Sequence, residues 1–446
     1  MTLSVQEARE LAKRVVALTA ADAAEVLVAA ESSSLTRFAN NRITQNVSER
    51  NAQVSIRAVS DNRIGVASTN RLDDESLRAT ADSAVRAAAI SPRDPSFPGL
   101  PGPVPVADIR RAAEATRAFD AEARAAAVGA IVAQSISRGL TVAGTVRAAE
   151  HTIAVANSLG VDVGQALTGA QATVLSMGKD TGSGWASFLG TDASLLPAEA
   201  LGSHAADLAL RSADPGSLDA GSYAVVLAPE AVSNILDFLA YTGISAKAFS
   251  EGRSFLSDKL GTKIASDLVS IADDALAPHA MGTVFDYEGQ PRRRVQIIDR
   301  GVAVEPVTDS YWAAKLSRPN TGHALPAPNA WGPMPMNLEM AAGDASLDEL
   351  IGSVTHGVYV TRFHYVNVED PITVTLTGMT RDGTFLIENG RLTRPLKNLR
   401  FTQSAIEALA HCEGVTRERQ FVGTGEGATF APGLLLGRFA FTGQTS

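Results

Sequence analysis

The side chains that could bind a metal or carry acid–base chemistry are few and widely spaced. The chain has seven histidines and a single cysteine, Cys412, and no two histidines form a tight ligand pair. His356 and His364 are an even number of residues apart on a predicted strand, so they could share a face, yet about 26 Å of extended chain would separate them. Together with His411 and Cys412 they could form a site only if the chain folds back on itself. The sequence therefore contains no local metal motif and leaves open a site assembled by the fold.

Two acids that are two residues apart, Asp286 and Glu288, have two interpretations. On a strand they would point to the same side, as a pair that binds a hard cation or transfers protons requires. In a turn, which is the favoured interpretation, their carboxylates would instead accept backbone hydrogen bonds. No Gly-x-Ser-x-Gly sequence is present, so nothing in the chain argues for a serine nucleophile.

A third candidate is the segment from Ala228 to Asn234, where a predicted strand over Tyr223–Leu227 passes directly into a helix that begins near Pro229. Proline is favoured in the first turn of a helix because its missing N–H would be unpaired there in any case. Glu230 follows at once, and an acid at this place complements the positive end of the helix dipole.

The elements that position these residues predict an α+β protein. Residues 5–19 have the spacing of an amphipathic helix, and an antiparallel meander follows, with turns at Asn40-Asn41 and Asp61-Asn62. Asp73 is a predicted helix N-cap. Two helices are predicted over Ala107–Arg138 and one over Pro197–Ser212, with strands between them. The chain after residue 217 is rich in short apolar strands, which predicts an extensive antiparallel sheet.

Proline and glycine mark the predicted boundaries. Six prolines between residues 92 and 105 predict an extended linker, and Asp214-Pro215-Gly216 predicts a second boundary. The resulting units are an N-terminal α/β unit (1–90), a linker (91–106), a middle α/β unit (107–217) and a β-rich C-terminal domain (218–446).

Composition and charge narrow the class of protein. The net charge of −9 gives no general attraction to a phosphate backbone, so nucleic-acid binding is not expected. One cysteine excludes an internal disulfide, and no segment approaches the ~20 apolar residues that span a bilayer. With acids near the first residues, where a signal peptide would be basic, these features predict a cytoplasmic protein without membrane contact.

Several motifs resemble the TldD/PmbA family of metallopeptidase-related proteins, and they occur in that family's order. They are strongest in the C-terminal half, and the N-terminal half contributes only Arg37–Ile43. The matching segments are Phe249–Ser254, Gly261–Ser266, Ile271–Asp274, Gly282–Pro291, Ile297–Val302, Gly357–Val360 and Phe385–Gly390.

The resemblance implies which of two subunit kinds this chain is. The TldD kind has His-Glu-x-x-x-His on a helix after a strand and a late Cys-Gly-Lys, which together hold a metal, whereas the PmbA kind, also called TldE, lacks these ligands and pairs with the first. Pro229 stands where the first His would be, Glu230 matches the acid, and Asn234 replaces the second His. Proline has no donor atom, and an asparagine amide is a poor zinc ligand. Glu230, without a metal-bound water to deprotonate, is expected to be inactive.

Cys412 does not replace the missing ligands. It lies in His-Cys-Glu-Gly, and the family's cysteine region aligns better with Val415–Gln420, which contains no cysteine. A buried, unreactive thiol is the expected role.

The leading hypothesis is therefore a metal-free, PmbA/TldE-like subunit that binds no cofactor itself. It would join a zinc-bearing TldD-like subunit in a complex that hydrolyses short or unfolded peptides, including in peptide maturation. This chain would hold substrate, for example as an added strand at an open sheet edge. Two alternatives stay open: a stand-alone metallopeptidase whose ligands moved to His356, His364 or Cys412, and a non-enzymatic homodimeric binding or regulatory protein.

The proline-stiffened segment Ala324–Met340, which contains Trp331, has two equally supported interpretations. It is either a loop laid over the core or part of a surface that contacts a partner.

Overall fold

The structure, a computed structural model, describes residues 3–179, 181–423 and 427–445. The first half contains the helices α1 (Val5–Leu18), α2 (Asp74–Ile90), α3 (Glu114–Arg117), α4 (Ala121–Ile136) and α5 (Ala198–Arg211). Its strands are β1 (Ala23–Ala39), β2 (Arg42–Ser60), β3 (Arg63–Thr69), β4 (Thr141–Asn157), β5 (Asp162–Met177) and β6 (Ser183–Gly190).

The second half alternates short helices with strands. Its helices are α6 (Pro229–Gly243), α7 (Ala246–Ser250), α8 (Ser310–Leu316), α9 (Leu347–Gly352) and α10 (Ala405–Ala410). Its strands are β7 (Gly221–Leu227), β8 (Ile271–Asp273), β9 (Val295–Asp299), β10 (Val302–Ala303), β11 (Leu338–Met340), β12 (His356–Asp370), β13 (Thr375–Glu388), β14 (Arg391–Pro395), β15 (Leu399–Ser404), β16 (Cys412–Gly423) and β17 (Ala428–Gln444). The predicted α+β class is confirmed.

All six strands of the first half form one antiparallel sheet in the order β3-β2-β1-β4-β5-β6. Both predicted turn pairs are confirmed, because Asn40, Asn41, Asp61 and Asn62 all have positive φ and close tight hairpins. The strands β1 and β2 are long, with 17 and 19 residues. Polar residues such as Ser32–Ser34 stay in β1 because their backbone groups pair with β2 on one side and β4 on the other.

The sequence prediction of two helices over Ala107–Arg138 was wrong at its start. Residues 107–113 are not helical, and α3 has only four residues. The cause is Arg111, which bridges to Leu167 and donates from its guanidinium to the carbonyls of Ala275, Ala277 and Pro278. These tertiary contacts override the helix propensity of the alanines.

The C-terminal half is built on an eleven-stranded sheet that is mostly antiparallel, with the parallel pairs β7–β12 and β11–β17. Because β7 pairs with β12 on one side and with β17 on the other, the strands β17, β15, β13, β12 and β7 close into a ring. Helix α6 packs its apolar face, including Val232, Leu236 and Leu239, into the largest hydrophobic core of the chain. The start of α6 is thereby fixed against β7, β12 and β17.

No helix in the described part of the chain is both long and apolar enough to cross a bilayer.

Candidate functional site

The strand-to-helix passage at Ala228 is formed as the sequence predicts. Strand β7 ends at Leu227, Ala228 is the N-cap in an extended conformation, and Pro229 is the first helical residue of α6. The Ala228 N–H donates to the carbonyl of Val360 in the neighbouring strand, which fixes the direction in which the helix leaves the sheet.

Glu230 is held by two other elements. Its Oε1 accepts hydrogen bonds from the Ser187 hydroxyl in β6 (3.0 Å) and from Gln420 Nε2 in β16 (3.4 Å). No described side chain donates a hydrogen bond to its Oε2, and the backbone N–H of Glu230 itself also stabilises the carboxylate. Burial raises the pKa of the Glu230 carboxyl above its usual range, and the hydrogen bonds from Ser187 and Gln420 oppose that rise.

The residues at the start of α6 do not fit a zinc site of the His-Glu-x-x-x-His kind. Pro229 has no donor atom, and Asn234 lies one helical turn after Glu230 with only an amide to offer. Across residues 3–179, 181–423 and 427–445, no group of three or more His, Cys, Asp or Glu side chains is arranged to hold a metal ion.

A cleft of about 470 Å³ opens over this end of the helix. It is bordered by β6, α5, the start of α6, α9, β12 and β16. The lining residues are Trp185, His204, Ala228, Pro229, Glu230, Ser346, Leu347, Asp348, Tyr359, Thr361, Thr416, Glu418, Gln420 and Gly433. A space of this size, with apolar walls and a few polar groups, is typical of a ligand-binding site.

One wall of the cleft is fixed by an arginine–aspartate pair. The Arg362 guanidinium lies 4.2 Å from the centroid of the Trp185 ring and forms an ion pair with Asp382. Asp382 is 3% exposed and also accepts a hydrogen bond from the Ser183 hydroxyl (2.6 Å). These contacts tie β6 of the first sheet to β12 and β13 of the second, so Trp185 has a defined position.

Two open sheet edges meet at this cleft. Within the described residues, β6 pairs with β5 alone, and β16 pairs with β17 and, at Thr416, forms a single bridge to Ala345. The two edges face each other closely enough that Gln420 Nε2 in β16 donates to the Ser187 carbonyl in β6 (3.3 Å). Such edges present unpaired N–H and C=O groups, which is where an extended peptide can add as a further strand.

The structure does not bring the other predicted candidates together at this cleft. Cys412 is buried, its thiol lies 3.5 Å from the Gly414 carbonyl, and burial raises its pKa to about 11. His356 packs near Tyr223, His364 packs near Tyr365, and His411 Nδ1 lies 2.8 Å from the Glu407 carbonyl.

Asp286 and Glu288 lie in a turn, which confirms the interpretation that the sequence favoured. Asp286 Oδ1 accepts from the N–H groups of Glu288 and Gln290, and its Oδ2 accepts from that of Ala324. Burial, together with the nearby Glu288 charge, raises the pKa of Asp286 to about 7.

Sequence reasoning missed the ionic network beside this turn. Arg57 in β2 donates to Glu25 Oε2 in β1 (2.8 Å) and to Glu288 Oε1 (3.2 Å), so one guanidinium links the first sheet to the C-terminal half. Glu25 is 4% exposed and Glu288 is 8% exposed. Burial raises the pKa of Glu25 to about 7 despite the opposing effect of Arg57. No local signal predicts the network, because 231 residues separate Arg57 from Glu288.

Comparison with known proteins identifies the class. Three domain models of the PmbA/TldA metallopeptidase match the chain in order: domain 1 at residues 24–88, the central domain at 99–213 and the C-terminal domain at 220–443. The chain belongs to the PmbA/TldD metallopeptidase family. The family resemblance stated from the sequence motifs is thus confirmed.

Individual relatives agree with this assignment. The metalloprotease TldD homolog of Buchnera aphidicola (subsp. Acyrthosiphon pisum) is 28% identical over 192 residues, or 42% of this chain and 39% of the relative. The zinc metalloprotease TldD homolog of Saccharolobus solfataricus is 28% identical over 207 residues, or 45% of each chain. In both matches the chain spans less than half the length of the relative.

A solved structure shares the whole fold. The crystal structure of TldE from Thermococcus kodakarensis superposes with a TM-score of 0.90 at 19% identity, and the match covers 99% of this chain and 100% of that one. At this identity the likeness establishes the fold alone.

Proposed function

We propose that this chain is the metal-free subunit of a metallopeptidase complex. A TldD-like partner supplies the zinc site, and the assembly hydrolyses short or unfolded peptides, including in peptide maturation in the cytoplasm. The observation that carries the proposal is the start of α6, where Pro229 is the first helical residue and Asn234 follows Glu230 by one turn; these are the positions that the family resemblance assigns to the two histidines. Around it, the strand, the helix and the cleft are intact, so the position has lost its ligands without losing its fold.

The likeness to TldE from Thermococcus kodakarensis supports the same subunit kind through the fold. The domain boundaries proposed for the chain stay at residues 1–90, 91–106, 107–217 and 218–446.

The role proposed for this chain is to hold substrate. The cleft lies between the edge of β6 and the part of the β16 edge that follows the Thr416 bridge, and the backbone groups of these edges can pair with an extended peptide whatever its side chains are. Only a segment without secondary structure of its own can add to such an edge, which accounts for the preference for short or unfolded peptides. The Glu230 carboxylate, already held by Ser187 and Gln420, borders this path and has no metal-bound water to deprotonate.

A stand-alone peptidase with relocated ligands receives no support from the geometry. The Cys412 thiol is buried, and no ligand group of three or more is assembled in the described ranges.

The test is reconstitution. The chain is expressed alone, and again together with a His-Glu-x-x-x-His-bearing chain from the same cell, and both samples are assayed on an unfolded peptide after size-exclusion chromatography with light scattering. We expect activity only in the mixed complex, its loss when the partner's first zinc histidine is replaced, and no change for Cys412→Ser in this chain. Chelator-sensitive activity of this chain alone would refute the proposal.

A further inference from the structure

The charged side chains that line the cleft at the start of α6 are acidic. Three of its lining residues carry carboxylates: Glu230 at the floor, and Asp348 and Glu418, both exposed, at the rim. None of the described residues that line it is a lysine or an arginine. The base present is His204, also at the rim, and desolvation lowers its pKa, so its imidazole is neutral at pH 7.5.

Two arginines beside the cleft are engaged by other groups. Arg362 forms an ion pair with Asp382 and stacks on Trp185, and the guanidinium of Arg211 lies 5.2 Å from the ring centroid of Phe385. Of the three acids, Glu418 lies 3.9 Å from the exposed Arg417 guanidinium, whereas neither Glu230 nor Asp348 forms an ion pair with a described residue.

A second, independent observation points to a ligand. Tyr359 is 8% exposed, lines the cleft and packs its ring against Phe385, yet its hydroxyl makes no hydrogen bond to any residue in the described ranges. Burial raises the pKa of this hydroxyl, and the nearby Glu230 charge adds to the rise. The Tyr359 hydroxyl and the Glu230 carboxylate can therefore both accept a hydrogen bond from a donor that enters the cleft.

We propose that this cleft binds the cationic group of a peptide, either a lysine or arginine side chain or the α-ammonium of its first residue. The proposal rests on the proposed function, in which this chain holds substrate, and it names the chemical class of that substrate. An ammonium or guanidinium group donates to both acceptors and neutralises the partly buried carboxylate. A neutral side chain leaves that carboxylate uncompensated, and an acidic side chain adds repulsion from Glu230, Asp348 and Glu418.

The test measures binding to the full chain by fluorescence anisotropy. The probes are unstructured, N-acetylated and C-amidated peptides with a neutral fluorophore, identical except for one central residue that is lysine, norleucine or glutamate. A fourth peptide keeps norleucine but has a free N-terminus, which separates the α-ammonium from the side chain as the source of the cation. We expect the lysine peptide, the free-amine peptide or both to bind about tenfold or more tightly than capped norleucine, as hydrogen bonds to charged groups usually give.

Variants locate the effect. Glu230→Gln removes the floor charge at constant shape, and we expect it to abolish most of the preference. Because Glu230 is partly buried, Asp348→Asn and Glu418→Gln, both at the exposed rim, provide a second test in which each lowers the preference by about two- to threefold. Glu75→Gln, an exposed acid on α2 outside the cleft, is the matched control and leaves the preference unchanged.

Three results would overturn the inference: equal affinity for lysine, norleucine and glutamate peptides, no binding of any cationic peptide at about 1 mM, or a preference that survives Glu230→Gln and both rim variants. These results are distinguishable from failure of the proposed function. If the mixed complex hydrolyses peptides without regard to their charge, only the inference about cationic groups is wrong. If this chain by itself has zinc-dependent activity, the proposed function is wrong.

Discussion

Removal of the Arg57 guanidinium should show how much the ionic network between the first sheet and the C-terminal half contributes to the free energy of unfolding. In Arg57→Met, the carboxylates of Glu25 and Glu288, 4% and 8% exposed, lose their common partner. Leaving buried charge uncompensated costs about 3–5 kcal/mol. We therefore expect the free energy of unfolding to fall by that amount at pH 8.

The destabilisation caused by Arg57→Met should also depend on pH. The pKa of Glu25 rises from its ordinary 4.5 to about 7 in the folded protein, so the folded state binds the proton more tightly than the unfolded state. The contribution of Glu25 protonation to the free energy of unfolding is fully present below about pH 4.5 and is lost as the pH rises through 7. At pH 5.5 Glu25 is already protonated, so Arg57→Met should cost less there than at pH 8.

The assay is urea denaturation followed by circular dichroism at both pH values. The matched control is Arg14→Met, which removes an ion pair with Asp74 whose side chains are 51% and 69% exposed, and such a pair is worth at most about 1 kcal/mol. Replacing Glu25 and Glu288 with glutamine in the Arg57→Met background should restore much of the loss. If Arg57→Met lowers the free energy of unfolding by less than about 1 kcal/mol at pH 8, or by the same amount at both pH values, the proposed role of Arg57 is wrong.

Three further predictions follow from single contacts. The Cys412 thiol, whose pKa burial raises to about 11, should react with a thiol reagent at pH 8 only after denaturant is added; rapid labelling of the native chain would contradict its burial. Pro229→His with Asn234→His supplies the two missing imidazoles next to Glu230 and should raise zinc affinity in a chelator competition, whereas each single variant should not; unchanged affinity would contradict the placement of the family's metal helix at α6. Gly65→Ala should lower the melting temperature markedly, because the added Cβ would lie 2.1 Å from the Ala84 carbonyl oxygen in α2, while Gly129→Ala, which meets nothing within 4 Å, should not lower it.

Local signals in the sequence located several elements of the fold, including the helix at the site. The Asn40-Asn41 and Asp61-Asn62 turns, the Asp73 cap and the helix that begins at Pro229 each depend on the conformational preference of one or two residues, and each is present. The helix predicted over Pro197–Ser212 is observed as Ala198–Arg211.

Tertiary contacts explain what the sequence did not predict. Residues 107–113 have a helical composition, but the buried guanidinium of Arg111 holds them in another conformation through three carbonyls of the C-terminal half. The cleft is lined by Trp185, Tyr359 and Glu418 together with the start of α6. These segments are distant in the sequence, and strand pairing brings them together. Glu230 was identified from its place in a family motif, whereas its partners Ser187 and Gln420 could be found only from the fold.

The zinc content of the purified chain decides whether this subunit holds a metal by itself. The chain is prepared alone and in complex with a His-Glu-x-x-x-His-bearing partner, and zinc is measured by mass spectrometry after dialysis. We expect this chain alone to contain far less than one zinc per molecule after dialysis. We expect the complex to contain about one zinc for each partner subunit. About one zinc for each copy of this chain alone, bound tightly enough to survive dialysis, would contradict it.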